Sequence, residues 1–356
     1  MKAVERDATA EITARVQAAA AARTALHLRG SGSKAFYGRP VCGEPLMVKD
    51  HAGVVDYDPQ ELVITARAGT PLAHVEARLA ECGQHLPFEP PHFGPGATLG
   101  GMIASGLSGP ARASAGPVRD FVLGVRILTG AGQVLNFGGR VMKNVAGYDV
   151  TRLMVGALGT LGVVLEVSLK VLPQAPGQLT LTFALSAAQA LERMHDWART
   201  PLPVSATCWV DGRLYVRLQG STAALAHARR IGGEELNAAE AFWTSIKEHT
   251  HPFFDQAGNL WRLSVPSASA VSAAPGRTLI EWAGAQRWVV SDDARADLNE
   301  QSVRSGGFAT RFRAAEPSGG EVFAALPAAL LRIHRELKRT FDPYAILNPG
   351  RLYADL

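Results

Sequence analysis

The sequence predicts an α+β protein of two domains, and three observations carry that reading. The chain has 356 residues, too many for one simple core and well suited to two. Between residues 87 and 173, two glycine clusters each lead into a regular element: Ala97-Thr98-Leu99-Gly100-Gly101 and Gly156-Ala157-Leu158-Gly159-Thr160-Leu161-Gly162. Beyond Pro173 the apolar pattern changes to a β-α-β-β-α-β order, which sets helices on one face of an antiparallel sheet.

The elements follow in order. Ala8 to Ala25 reads as a surface helix, because Glu11, Arg15, Gln17 and Arg23 interrupt it where a signal peptide needs an apolar run. A short strand, Ala25 to Arg29, breaks into Gly30-Ser31-Gly32-Ser33, small residues that can form a nest of N–H groups for a phosphate. Gly32-Ser33-Lys34 fails the P-loop order, and Ala35 stands where a Rossmann pattern needs its third glycine. Leu62 to Ala68 alternates as a strand; Thr70 then reads as an N-cap, Pro71 as the first helical residue, and Leu72, Val75 and Leu79 as one apolar face closed by Gly83. Thr98 caps a helix from Leu99 to Ser105, whose paired glycines would let a diphosphate approach bare N–H groups. The same glycines would also serve as ordinary turns.

Asp120 to Thr129 and Val134 to Phe137 pair as a hairpin, and Val163 to Val171 is a β-branched buried strand bounded by Pro173. Gln174 to Gly177 reads as a linker. The second domain then runs as strand (Leu179 to Leu185), helix (Ala187 to Arg199), strands (Pro203 to Val210 and Arg213 to Leu218), helix (Thr222 to Ile231) and a fourth strand near Leu260 to Val265. A last helix, Val322 to Arg339, carries Leu326, Leu330, Ile333 and Leu337 at helical spacing and reads as a packing face. It delivers a defined terminal segment, Phe341 to Arg351.

Composition removes several function classes. Lys and Arg exceed Asp and Glu by only four, 36 against 32, with no basic run interleaved with aromatics, which argues against nucleic acid. Cys42, Cys82 and Cys208 are far apart and lack C-x-x-C spacing, which fits a reducing compartment and argues against zinc or iron–sulfur within this chain. No run reaches the apolar length of a membrane span.

Four segments together carry a resemblance. Arg29-Gly30-Ser31-Gly32-Ser33, Ala97-Thr98-Leu99-Gly100-Gly101, Gly159-Thr160-Leu161-Gly162-Val163-Val164 and Asn348-Pro349-Gly350 resemble the successive FAD-contacting segments of the vanillyl-alcohol-oxidase superfamily, the PCMH type, over nearly the whole chain. Within it, Lys143-Asn144-Val145-Ala146-Gly147-Tyr148-Asp149 and Pro87-Phe88-Glu89-Pro90-Pro91-His92-Phe93 resemble the FAD-binding subunits of bacterial glycolate oxidase, also called glycolate dehydrogenase. The resemblance implies a PCMH-type FAD-binding domain of two α/β subdomains over residues 1–173. It further implies a ferredoxin-like α+β cap over 174–320 and a C-terminal helix and segment, 321–356, returning to the first domain.

On the same basis Arg29, Gly30, Ser31, Gly32 and Ser33, with Thr98, Leu99, Gly100 and Gly101, would take the FAD pyrophosphate. Ala104, Ser105 and Gly106 would lie along the cofactor, and Gly159, Thr160, Gly162, Val163 and Val164 would run beside the adenosine or the flavin. Asn348 would approach the ring. The implied activity is oxidation of glycolate to glyoxylate, with hydride passing to flavin and electrons leaving through a second flavin subunit and an iron–sulfur subunit. The implied location is cytoplasmic, with any contact to the inner membrane made through those partners. A self-sufficient FAD-dependent D-2-hydroxy-acid dehydrogenase and a non-catalytic assembly subunit with a structural nucleotide site are the alternatives.

Departures from the wider superfamily bear on catalysis. Hydroxy-acid oxidising relatives carry a His-x-Gly-Asp-x-Asn-x-His metal segment in the cap, and nothing here spells it. His249-Thr250-His251 reads instead as a solvated loop, so no metal site is expected. Those relatives place a substrate-binding arginine three residues after a tryptophan; here that position is Ser264, and Arg262 lies two residues earlier. His92 reads as a loop histidine, with flavin attachment or proton transfer as its other role, and no residue is assigned as catalytic. Lys143 and Tyr148 are neighbours of the flavin by resemblance, or a surface charge and packing.

Overall fold

The apolar runs flanking the glycine clusters come together as a five-stranded antiparallel sheet. Its order is Val54–Asp58, Val63–Arg67, Val163–Lys170, Val122–Leu128 and Val134–Gly138. The computed structural model describes residues 5–139, 149–271, 276–291, 295–315 and 321–356. Lys143 to Tyr148, singled out above, lie outside the described residues. Val163–Lys170 sits at the centre of the sheet, and Leu165, Val167 and Leu169 are at most 1% exposed.

Helices Leu72–Ala80 and Leu99–Ser105 press Val75, Leu79, Met102 and Ile103 into one core with Val125, Ile127, Val167 and Leu169. A second core lies under helix Thr9–Ala22, where Ile12 and Val16 meet Leu26, Leu46, Leu165 and Leu347. This core includes a parallel strand pair, Leu26–Arg29 with Glu44–Met47. The chain's last segment joins it: Leu26 N–H donates to Ile346 O at 2.7 Å and Asn348 N–H donates to Leu26 O at 3.0 Å.

The second half forms one eight-stranded antiparallel sheet in the order Glu234–Glu235, Gln178–Ala184, Arg213–Gln219, Val204–Val210, Arg277–Glu281, Gln286–Ser291, Asn259–Ser264 and Phe308–Arg313. The predicted strand and helix order is present from Gln178 to Ala228. The fourth strand differs from expectation. The short pair Glu234–Glu235 lies beside Gln178–Ala184, whereas Asn259–Ser264 pairs with Gln286–Ser291 and Phe308–Arg313 in the far half of the sheet. Strand order along the chain cannot specify which edge a distant strand joins.

Two local readings are corrected. Thr70 does not cap the helix beginning at Leu72, because its hydroxyl accepts from Gly53 N–H at 2.9 Å and donates to Gly53 O at 3.1 Å. The C-terminal helix spans Ala328–Phe341, and the predicted packing face is only partly inward: Leu330 is 45% and Ile333 51% exposed, while Lys338 and Phe341 are buried. The charge on Lys338 is compensated in the interior by Asp342, so a polar residue occupies the inner face and shifts it around the helix. Among the described residues no helix is long and apolar enough to cross a membrane.

Candidate functional site

Two adjoining clefts, of about 590 and 490 Å³, run between the Leu26–Arg29 strand, helix Leu99–Ser105 and the glycine turn ahead of Val163. The first is lined by Arg29, Gly30, Ser31, Gly32, Ser33, Thr98, Gly101, Ala104, Ser105 and Asn348. The second adds Gly100, Gly159, Gly162, Val163 and Val164. Segments separated by up to about three hundred residues thus meet on one surface. Leu99, Gly106 and Thr160 stand behind it: Leu99 and Thr160 are each 1% exposed, and a Cβ on Gly106 would fall 3.0 Å from Gly156 Cα.

Thr98 caps its helix as predicted, its hydroxyl accepting from Gly101 N–H at 3.2 Å. The helix start offers no bare donors, however. Leu99 N–H donates to Thr70 O at 2.9 Å, Gly100 N–H to Ala68 O at 2.7 Å and Met102 N–H to Thr98 O at 3.0 Å. The reading of free N–H groups at this turn is therefore corrected, and the glycines act through space instead. A Cβ on Gly100 would lie 2.8 Å from Ala68 Cβ, and one on Gly30 would lie 2.5 Å from Thr98 Oγ1. A Cβ on Gly101 meets only Thr98 Oγ1 at 3.1 Å and otherwise points into the cleft, so the missing side chain is part of the cleft's volume.

Charge in the cleft is of one sign. Among the described residues Arg29, Lys34 and Arg351 line it with His27, and no carboxylate does. Burial lowers the Lys34 ammonium to about 8, partly opposed by Glu248, and its Nζ donates to His92 O at 3.2 Å. Burial and the charges of Arg351 and Arg29 lower His27. Arg351 is held by the carbonyls of Arg39 at 2.8 Å, Ala35 at 3.0 Å and Tyr37 at 2.6 Å. A glycine-walled, carboxylate-free cleft with arginine and lysine at its rim fits a dinucleotide diphosphate and flat rings.

Asn348 is 4% exposed, and its side chain bridges the cleft walls: Oδ1 accepts from Leu28 N–H at 2.8 Å and Nδ2 donates to Leu158 O at 2.7 Å. Its amide therefore fastens the walls together. Sequence reasoning missed Lys34, Ala35, Leu158, Arg351, Val48 and Ala68 in the lining. Arg351 follows Asn348-Pro349-Gly350 directly and Lys34 follows Ser33, so proximity to the recognised segments was the available signal.

The stretch Pro87 to Gly96 lies against the second half of the chain. Glu248 accepts from the N–H groups of His92 at 3.0 Å and Phe93 at 2.8 Å, and His92 Nε2 lies 2.9 Å from Glu76 Oε2. Glu89 pairs with Arg217 at 2.7 Å. The solvated-loop reading of His249 is corrected: its ring stacks on Phe254 at 4.0 Å and meets Trp288 edge-on at 4.6 Å, and burial holds it well below its usual range. Its backbone φ is +54°, in the left-handed region. Among the described residues no group of three or more His, Cys, Asp or Glu could hold a metal ion. Arg262 Nη2 donates to Tyr37 Oη at 3.1 Å, across the two halves of the molecule.

Residues 3–138 match the model of a family described as an FAD binding domain. The chain is 49% identical over 353 residues to the glycolate oxidase subunit GlcE of Escherichia coli strain K12, covering 99% of each. It is 32% identical over 155 residues to the glycolate oxidase subunit GlcD of Bacillus subtilis strain 168, covering 43% of this chain and 33% of that one. It is also 30% identical over 152 residues to a D-2-hydroxyglutarate dehydrogenase of Xanthomonas citri pv. viticola, covering 43% of this chain and 32% of that relative. Among solved structures, an alkyldihydroxyacetonephosphate synthase matches with a TM-score of 0.67 at 16% identity, over 96% of this chain and 76% of that one, which establishes the shared fold.

Proposed function

Because the chain belongs to the family of the glycolate oxidase subunit GlcE and is a flavoprotein, we propose that it is the FAD-binding subunit of a complex that oxidises glycolate to glyoxylate. The observation that carries this reading is the continuous carboxylate-free cleft on which Arg29 to Ser33, Thr98 to Gly101, Gly159 to Val164 and Asn348 converge. When bound, FAD supplies the hydride acceptor, and the protein supplies position and electrostatics. Arg29, Ser31, Ser33 and the backbone of Gly30 to Ser33 would hold the diphosphate. Gly101 leaves room for the cofactor, Gly100 and Gly162 let their segments close on Ala68 and on Ile127 and Leu128, and Lys34 brings positive charge to the cleft.

Electrons leave through partner subunits in this reading, a second flavin subunit and an iron–sulfur subunit. Three separated cysteines are one short of the four thiolates that a cluster takes, so the relay belongs on another chain. We assign residues 1–173 to the FAD-binding domain, 174–320 to the cap and 321–356 to the returning segment. The five-stranded sheet of the first and the eight-stranded sheet of the second support that division.

The test is a visible spectrum of the purified chain, alone and co-purified with its partner subunits, before and after anaerobic glycolate. A flavin spectrum that bleaches in the assembled complex is expected. A chain isolated without FAD, or an assembly whose flavin ignores glycolate, overturns the proposal.

A further inference from the structure

The helix Ala328–Phe341 carries Leu330, Ile333 and Leu337 three and four residues apart, the spacing of a seam between two helices. Its last turns are seated. Lys338 and Phe341 are buried, and Leu337 packs half-buried against the core beneath helices Leu72–Ala80 and Leu99–Ser105. Towards its start the same apolar stripe runs off the body of the protein: Leu330 and Ile333 are exposed, with Ala329, Arg332 and Arg335 exposed around them. Among the described residues, no other two exposed large apolar side chains stand one turn apart on a single helix. A helical segment this short gains little stability from its own hydrogen bonds and most of it from covering its apolar side, and the described residues supply no cover.

The flank of the stripe is positive. Arg335 pairs with Asp355, Arg339 pairs with Glu336 at 2.6 Å, and Lys338 is neutralised in the interior by Asp342. Arg332 has no hydrogen bond or ion pair among the described residues. The exposed part of the helix thus presents two apolar side chains beside one uncompensated guanidinium. A second copy of the chain would bring the same positive face against it, whereas an apolar stripe edged by a carboxylate complements it.

The seated end of this helix also touches the wall of the cofactor cleft. Lys338 Nζ donates to Thr160 O and Leu347 O, and these residues adjoin Gly159 and Asn348, which line the cleft.

Resting on the functional reading above, we infer that Leu330 and Ile333, edged by Arg332, form the docking seam for a helix of a partner subunit that carries apolar residues at the same spacing and a carboxylate opposite Arg332. The partner is thereby fixed to the element that holds the glycine turn of the cleft.

The experiment measures assembly of the flavin-loaded full chain with its partner subunits, by co-purification and by titration of the separate components. Leu330→Ser combined with Ile333→Ser is expected to weaken assembly at least about tenfold, because two apolar side chains no longer leave water. Arg332→Glu is expected to weaken it about fivefold at low salt and less at high salt, and Arg332→Lys to restore most of the affinity. All three side chains are exposed, so melting temperature and flavin content should match the parent; should the double variant not fold, Arg332→Glu decides. Unchanged assembly of the double variant overturns the seam and leaves the functional reading standing, and unchanged assembly of Arg332→Glu overturns the carboxylate opposite it. Sedimentation of the chain alone covers the other occupant: a dimer that the double variant loses overturns the partner helix in favour of a second copy. A parent chain that associates with no partner subunit removes the functional reading and the seam together.

Discussion

At the scale of single residues, absent side chains and one neutralised carboxyl matter most. Gly101 has ordinary helical backbone and faces the cleft, so Gly101→Asp introduces a carboxylate where a diphosphate would lie, with only Thr98 Oγ1 near its Cβ. The variant should fold and lose most of its FAD, since charge repulsion and lost volume each cost about a few kcal/mol at such close range. Near-normal flavin content after purification would show that this segment does not face the phosphates. Glu281 is 3% exposed, and burial raises its carboxyl from 4.5 to about 7, against the hydrogen bonds from Trp288 and Gln286 and helped by the charge of Glu89. Folding therefore favours the protonated acid. Its contribution is complete below pH 4.5, falls as the unfolded chain ionises, and is gone above about pH 7. Glu281→Gln should be more stable than the parent at pH 8.5 by about 3 kcal/mol relative to their difference at pH 4. Urea unfolding at both values checks this, and parallel pH slopes for the two proteins would refute it.

At the scale of elements, the C-terminal helix shows where charge is structural. Lys338 Nζ donates to Asp342 Oδ2 at 2.7 Å, Thr160 O at 2.8 Å and Leu347 O at 2.7 Å. Asp342, 1% exposed, also accepts from Ile346 and Leu347 N–H. This network pins the helix end to the glycine turn of the cleft. Asp342→Ala leaves a buried ammonium unpaired and should cost about 3–5 kcal/mol, whereas Asp355→Ala, which breaks an exposed pair with Arg335, should cost less than about 1 kcal/mol. Chemical denaturation of the two variants separates them, and equal losses would contradict the buried network. Elements were legible wherever their signals are local: the Thr98 cap, the hairpin across Gly130 to Gln133 and the strand Val163–Lys170 all form. Elements that depend on distant partners were not. Glu44–Met47 carries a proline and exposes three of its four residues, and it is a strand only because Leu26–Arg29 lies beside it. The cleft was legible through its glycines, but the partners that satisfy the Leu99–Ser105 helix start come from Ala68 and Thr70, a pairing that no spacing reveals.

At the scale of the whole molecule, cofactor and partners set the expected behaviour. No histidine or cysteine lies in Gly30 to Ser33 or Thr98 to Gly106; His27 lines the cleft just ahead of the first of these segments, and His92 has its imidazole beside Glu76. Acid precipitation should therefore release all flavin into the supernatant, and a yellow pellet would mean a covalent bond. The isolated chain should turn over glycolate more slowly than about one per second with a dye acceptor, because it lacks the metal segment and has Ser264 at the expected arginine position. Faster turnover would make it a self-sufficient dehydrogenase. Asn348 joins Leu28 to Leu158 across 320 and 190 positions of the chain. Synthesis proceeds from the other end, so a nascent polypeptide that has already made both glycine clusters still has a cleft with an unfastened wall. Flavin capture in the fastened cleft should therefore wait until Asn348 has been made, and a chain cut short before it should retain less flavin than the full chain.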